Sequence, residues 1–221
     1  MKKGTTALVI TAVIIGFLFI CALGIFIWGK NSYNSLVAGE EQVSAAWSQV
    51  ENVYQRRADL IPNLVATVKG YAEHESETLE SVIAARSRAT QVTVDPSELS
   101  EEEIAEFQEA QGELGAALGR LLLLTENYPD LKASRNFSEL QAQLEGTENR
   151  IATERMKYNE TARAYNTSVR SFPKNIIASI FDFTPKGYFK ASEGADTAPI
   201  CALLSLQDRS LQGSSMISPA S

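Results

Sequence analysis

The sequence predicts an all-α protein, in which an N-terminal transmembrane helix continues into an antiparallel bundle of three long helices with room for a short fourth. Three observations predict it. No side chain from Gly4 to Gly29 is charged, large residues recur at threes and fours along three later stretches, and prolines fall between those stretches.

The first stretch is the anchor. "ALVITAVIIGFLFICALGIFIW", Ala7 to Trp28, exceeds the ~20 residues that a helix needs to cross the hydrocarbon core of a bilayer. A cleaved signal peptide would also begin with Lys2, Lys3 and an apolar run, but its apolar core is shorter and ends in a small-x-small exit. Nothing after Leu23 supplies that exit, and Ile20 before Cys21 is too large for a lipid-attachment site. Basic residues favour the cytoplasmic side. The amino end has Lys2 and Lys3, whereas the far side has Lys30 and then none until Arg56. The expected topology is a single pass of the cell (inner) membrane, with a cytoplasmic amino terminus and an extracytoplasmic bundle. Trp28 and Tyr33 suit the outer interfacial belt. Residues 1–30 are then the stub and anchor, 31–190 the bundle, and 191–221 a flexible tail.

Beyond the membrane, large residues at Leu36, Val43, Trp47, Val50, Tyr54, Ile61, Leu64, Val68 and Tyr71 make a helical stripe, with no turn cluster between Asn31 and Thr90. About 60 residues would form a rod of roughly 90 Å. "VTVDPSELSEEE" breaks the pattern at Pro96, and Ser100 with Glu103 forms a capping box for a second helix. Its stripe is Ile104, Phe107, Gln111, Leu114, Leu118 and Leu121. Gly112, Gly115 and Gly119 each weaken this helix by about 1 kcal/mol relative to alanine, which a close helix contact would offset; a loose face is the alternative. "NYPDLKAS" is a proline turn, and Asn136 with Glu139 can cap a third helix. The third stripe runs through Phe137, Leu140, Leu144, Thr147, Ile151, Tyr158, Tyr165, Val169 and Phe172. "YNETARAYN" puts Tyr158 and Tyr165 on one face with Asn159 and Asn166 beside them, a ladder of rings and amides. Pro173 ends this helix, and "NIIASIFDF" can form the short fourth.

Charge narrows the function. Setting Lys2 and Lys3 aside leaves 18 basic against 27 acidic residues, a formal charge of −9, which opposes nucleic acid or anionic lipid as the main partner. Cys21 lies in the membrane segment and Cys201 in the tail, so no disulfide framework is available.

From Tyr33 to Phe189, through "YNSLV", "AAWSQVENVYQRRADLIPNLVATVKGYAEHE", "LGRLLLLTENYPDLKAS", "NFSELQAQLEGTENRIA" and "FPKNIIASIFDF", the chain resembles the LemA family of bacterial single-pass membrane proteins. The resemblance implies an amino-terminal membrane helix and a helical bundle, and it carries no established biochemical activity. Descriptions of the family also place the short amino terminus outside, opposite to the charge pattern. The stretch after Pro199 has no counterpart in the resemblance.

Two groups of residues are singled out. In "RRADLIPNLV", Arg57 lies on the apolar stripe between Tyr54 and Ile61, so it needs a carboxylate from another helix, with Glu148 and Glu154 as candidates. Pro62 cannot donate to the carbonyl of Ala58 and should bend the rod there. Asp59 can accept a local backbone donor near the bend. Arg57, Asp59 and Pro62 are thus the expected structural switch. The second group follows from lengths. A second helix of ~42 Å cannot cover a ~90 Å rod, which leaves Leu36, Val43, Trp47, Val50 and Tyr54 as an exposed stripe for contact between copies of the chain.

His74, the only histidine, has Glu77 one helical turn beyond it; two such ligands are weak evidence for a metal, and an exposed histidine among carboxylates is the simpler account. No nucleophile can be assigned to it, no glycine-rich phosphate loop or metal motif is present, and no cofactor is expected. The expected function is a membrane-anchored, self-associating helical scaffold or adaptor of the bacterial cell envelope, without catalytic activity. Its partners are the lipid bilayer, further copies of the chain and an envelope protein. A ligand- or metal-responsive membrane sensor is the rival, and an enzyme stands behind it.

Overall fold

A computed structural model of the chain describes residues 2–190, with side chains from Val13 onward, and every regular element among them is helical. Residues 191–221, expected as a tail, and Cys201 lie outside the described residues. Helix α1, Lys2–Lys69, carries the apolar segment and the first stripe as one uninterrupted element of 68 residues. The large apolar side chains from Val13 to Ile27 are all exposed, as a bilayer-facing surface requires.

The rod expected to reach Thr90 stops at Lys69. Gly70 follows it, the amides of Tyr71 and Ala72 both bond the carbonyl of Val68, and the chain reverses into α2, Ser76–Gln91. Tyr71, the last member of the expected stripe, is consequently exposed. After the loop of residues 92–100, α3 spans Glu101–Leu124 and starts at the expected capping box. The side chain of Ser100 accepts from the amide of Glu103, whose carboxylate accepts from the amide of Ser100. A single 3-10 turn, Thr125–Asn127, and the one-turn α4, Pro129–Lys132, lead into α5, Arg135–Arg170. Its N-cap is Ser134 rather than Asn136, because Arg135 is already helical and pairs with Glu139 at 2.8 Å. The short fourth helix exists as α6, Lys174–Ile180.

The direction of each helix follows from the side chains it shares with α1. Leu79, Val82, Ala85 and Ala89 of α2 share the distal core with Ile61 to Ala72, so α2 runs back along α1. Ile104 and Phe107 of α3 lie in the membrane-proximal core, while its Leu114, Leu118 and Leu121 lie in the distal one. In α5 the order is inverted, from Phe137 and Leu144 to Tyr158, Tyr165 and Val169. The bundle is therefore up, down, up, down, built by α1, α2, α3 and α5.

Lengths explain the main correction. The part of α1 beyond Lys30 is about 58 Å long, and α5, with 36 residues, is about 54 Å, so the two pair along their whole extent. Leu36, Val43, Trp47 and Val50 are fully buried and Tyr54 is nearly so. The expected stripe for copies of the chain is the inner face of the protein's own core. Its premise, that no intrachain helix was long enough, failed because the first helix turns at Gly70 and the returning α5 is long.

Gly112, Gly115 and Gly119 have open space where a side chain would be, so they mark a loose outer face and no close helix contact. Phe172, placed on the third stripe, lies past the end of α5 and is 80% exposed.

Candidate functional site

Arg57 is buried, and its guanidinium joins three helices. Nη1 donates to Oε1 of Glu148 on α5 at 3.0 Å, and Nη2 donates to the backbone carbonyl of Gln111 at 3.1 Å and to the side-chain oxygen of the same residue. The amide nitrogen of Gln111 in turn donates to the carbonyl of Ala89 at 3.0 Å. Ala89 belongs to the last turn of α2, whose carbonyls have no partner within their own helix. Of the two carboxylates expected for Arg57, Glu148 is the partner; Glu154 is taken by Lys157 at 2.8 Å. Arg57 also stands over the ring of Tyr54, 5.0 Å from its centroid. Burial pushes the Tyr54 hydroxyl above its ordinary range, while Arg155 and Arg57 pull it back. Arg56, one residue off the stripe, is exposed.

Pro62 completes the layer from the α2 side. With no N–H, it leaves the carbonyl of Ala58 without its helical donor. Nε of Arg86 supplies one at 2.7 Å. The helix runs through Pro62 without interruption. Asp59 takes no backbone donor; it is exposed and accepts from the side-chain amide of Gln55 at 2.7 Å. One polar layer thus connects all four helices of the bundle. A slide of any of them by one turn would break at least one of its bonds.

A second arrangement holds an extended segment. After α6, residues 184–189 run antiparallel to α5 and are held by the two asparagines of the "YNETARAYN" repeat. The side chain of Asn166 donates to the carbonyl of Lys186 and accepts from its amide, both at 2.8 Å. Asn159 does the same for Phe189, at 3.0 and 2.9 Å. The periods match, since seven helical residues rise about 10.5 Å and three extended residues about 10 Å. Between the clamps, the Tyr158 hydroxyl donates to the carbonyl of Gly187 at 3.2 Å. Gly187 donates to the carbonyl of Leu99 at 2.8 Å and lies against the start of α3, where a Cβ would come within 2.8 Å of the Cα of Glu101. Lys186 is buried and reaches the carboxylate of Glu40 at 2.8 Å and the carbonyl of Ser97. Phe189 stacks on Trp47, with centroids 5.7 Å apart. Lys186, Gly187 and Phe189 were not among the residues expected from sequence. The signal for them was the seven-residue repeat of asparagines on a buried helix face, where each amide needs a partner with both a donor and an acceptor.

His74 is exposed in the turn between α1 and α2, and Glu77 lies on the next helix, so the two do not share the helical turn that a joint ligand role would need. A groove of about 480 Å³ on the bundle includes in its lining Glu106, Glu109 and Glu113 of α3 and Arg88 of α2, which pairs with Glu113 at 2.9 Å. No group of three metal-ligating side chains comes together among the described residues. The arrangement locks helix register and docks a strap.

The LemA family model matches residues 46–201. The chain is 26% identical over 178 residues to Protein LemA of Metamycoplasma hominis, covering 79% of this chain and 77% of that protein. It is 28% identical over 182 residues to the magnetosome protein MamQ 2 of Paramagnetospirillum magneticum, covering 75% and 67%. Identity to the magnetosome protein MamQ of Magnetospirillum gryphiswaldense is 26%, with the same coverage.

Proposed function

The chain belongs to the LemA family, and from that membership and its geometry we propose that it is a membrane-anchored helical scaffold or adaptor of the bacterial cell envelope. One observation carries the proposal: the apolar segment and the longest helix of the bundle are a single element, so the bundle is held at the membrane by a stiff post and not by a linker. Arg57, Gln111, Asn166 and Lys186 are buried polar residues that serve register and docking, which suits a rigid body that presents surfaces. Two relatives are named magnetosome proteins, which supports work at a membrane. Because the Leu36 to Tyr54 stripe is internal, contacts with copies of the chain or with an envelope protein fall to the polar outer faces of the bundle and to the membrane helix. Arg57 and Pro62 remain the proposed switch point, since a change there reaches all four helices; a ligand-responsive sensor would use the same layer.

Purification of the full chain from membranes in mild detergent, with particle mass and identification of retained proteins, tests this. Further copies, or one envelope protein in fixed proportion, are expected. A lone monomer, with native membranes yielding no cross-link to any protein, would remove the scaffold proposal. Ligand-induced protection of the Arg57 layer from hydrogen exchange would favour the sensor.

A further inference from the structure

Where α1 leaves the membrane, α6 crosses it and presents an apolar surface that the bundle does not use. Ile177 of α6 faces Gly29, with its Cδ1 3.8 Å from the place of a glycine Cβ, and the ring of Phe181 meets Tyr33 with centroids 4.8 Å apart. Beside Ile177, on the outward part of α6, Ile176 and Ile180 are one turn apart and 48% and 64% exposed. Phe172 and Phe181 flank them, also exposed. An apolar groove of about 360 Å³ between the two helices is lined by Phe26, Gly29, Lys30, Tyr33, Ile177 and Phe181. Phe26 precedes Trp28 in the membrane-spanning stretch, so the groove opens onto the lipid-facing surface.

We propose that α6 and its flanking phenylalanines lie in the interfacial layer of the bilayer and form a second membrane contact, with lipid acyl chains over Ile176, Ile180 and the groove. Heights along α1 support this occupant. Gly29 is at the end of the apolar stretch, and the headgroup layer on each side of a bilayer is about 5 to 7 Å deep. Ser35, which accepts a hydrogen bond from Nζ of Lys174 at 3.0 Å, is about 10 Å above Trp28. Lys174 at the start of α6 therefore stands just above the headgroups, where its side chain can meet phosphate. Ile177 is level with Gly29 at the boundary of the acyl chains, and Phe181, against Tyr33, lies within the headgroup layer and lines the groove that leads down to Phe26. Lys30, one residue beyond Gly29, lies at the inner boundary, where acyl chains meet headgroups. The placement follows from α6 packing on the exit of the span, so it holds for either orientation of the chain and does not depend on the scaffold reading. Two contacts with the interface, one along the span and one across it, would fix the tilt and rotation of the post.

Spin labels on the full chain test the inference. With Cys21→Ala and Cys201→Ser as background, Ile176→Cys and Ile180→Cys are labelled with a nitroxide in vesicles of phosphatidylcholine and phosphatidylglycerol. Both positions are exposed, so the labels leave the core intact. Collision with oxygen relative to a water-soluble nickel chelate should be severalfold higher at 176 and 180 than at Ile83→Cys on α2, and should approach that at Phe26→Cys. Equal access of the nickel chelate at 176, 180 and 83 would overturn the proposal. So would dipolar broadening at 180 that vanishes on dilution with unlabelled chain, because a second copy would then cover the patch.

Discussion

Toward the membrane from Arg57, Trp47 stands against Phe107, Tyr158 and Phe189 with centroids 5.2, 5.6 and 5.7 Å apart, and a strap without helical hydrogen bonds threads the same core. Away from the membrane, the core is Ile61, Leu64, Val68, Leu79, Val82, Leu114, Leu118, Leu121 and Leu144, with Ala72, Ala85, Ala89 and Ala117 between them and Phe137 as its one fully enclosed ring. The difference follows from what each half must satisfy. Distally, helix meets helix, the backbone inside each helix is bonded within that helix, and the fit of aliphatic volumes suffices. Near the membrane, extended backbone enters the core, and its amides and carbonyls must find side chains. The asparagines, the Tyr158 hydroxyl and Lys186 do that work, and rings fill the uneven space around them.

The largest effect should come at the seam between the two halves. Arg57→Ala removes hydrogen bonds to a carboxylate and two carbonyl oxygens and opens a cavity, for a loss of about 3 kcal/mol or more. Glu148 is 46% exposed, so it rehydrates and does not become a buried bare charge. Arg56→Ala should change stability by less than about 0.5 kcal/mol. Chemical unfolding of the two variants measures the contrast, and similar small losses would mean that the layer does not couple the halves. Asn166→Ala should follow, at about 2 to 3 kcal/mol, because the amide and carbonyl of Lys186 are left buried without partners. Hydrogen exchange would then speed up at Lys186 and leave Leu114 to Leu121 unchanged.

One substitution type should have opposite signs in the two halves. Gly187→Ala drives a Cβ into the backbone of Glu101 and should cost about 1 to 3 kcal/mol. Gly115→Ala meets only open space in a helix and should stabilise by about 0.5 to 1 kcal/mol. Thermal unfolding of both tests whether the membrane-proximal half is the tighter one. The smallest effect is with pH. Burial raises the hydroxyls of Tyr158 and Tyr165 above the ordinary 10.0, with Glu40 adding to the shift at Tyr165. The folded state then keeps protons that the unfolded state releases, so stability is complete below pH 10 and falls as pH rises beyond it. Tyrosinate absorbance should appear together with loss of the aromatic circular dichroism. Ionisation of all tyrosines before any loss of fold would contradict the burial.

The sequence by itself determined an N-terminal helix long and apolar enough to cross a membrane, the helical stripes and the capping box at Ser100, because each is a local matter of period and composition. It also determined that Arg57 needs a carboxylate and that Pro62 frees a carbonyl, since those follow from the residue types and their place on a buried face. The reversal at Gly70 was locally marked by Lys69 and a C-terminal glycine, yet no turn cluster interrupts the chain before Thr90, and a lone glycine by itself does not tell one helix from two that share a core. Only the tertiary structure decided which face was covered: the stripe at Leu36 to Tyr54 is identical as sequence whether a second copy or α5 lies on it. It likewise decided that Asn159 and Asn166 hold Phe189 and Lys186, because a side-chain amide states its need for a donor and an acceptor but not which distant backbone will meet it.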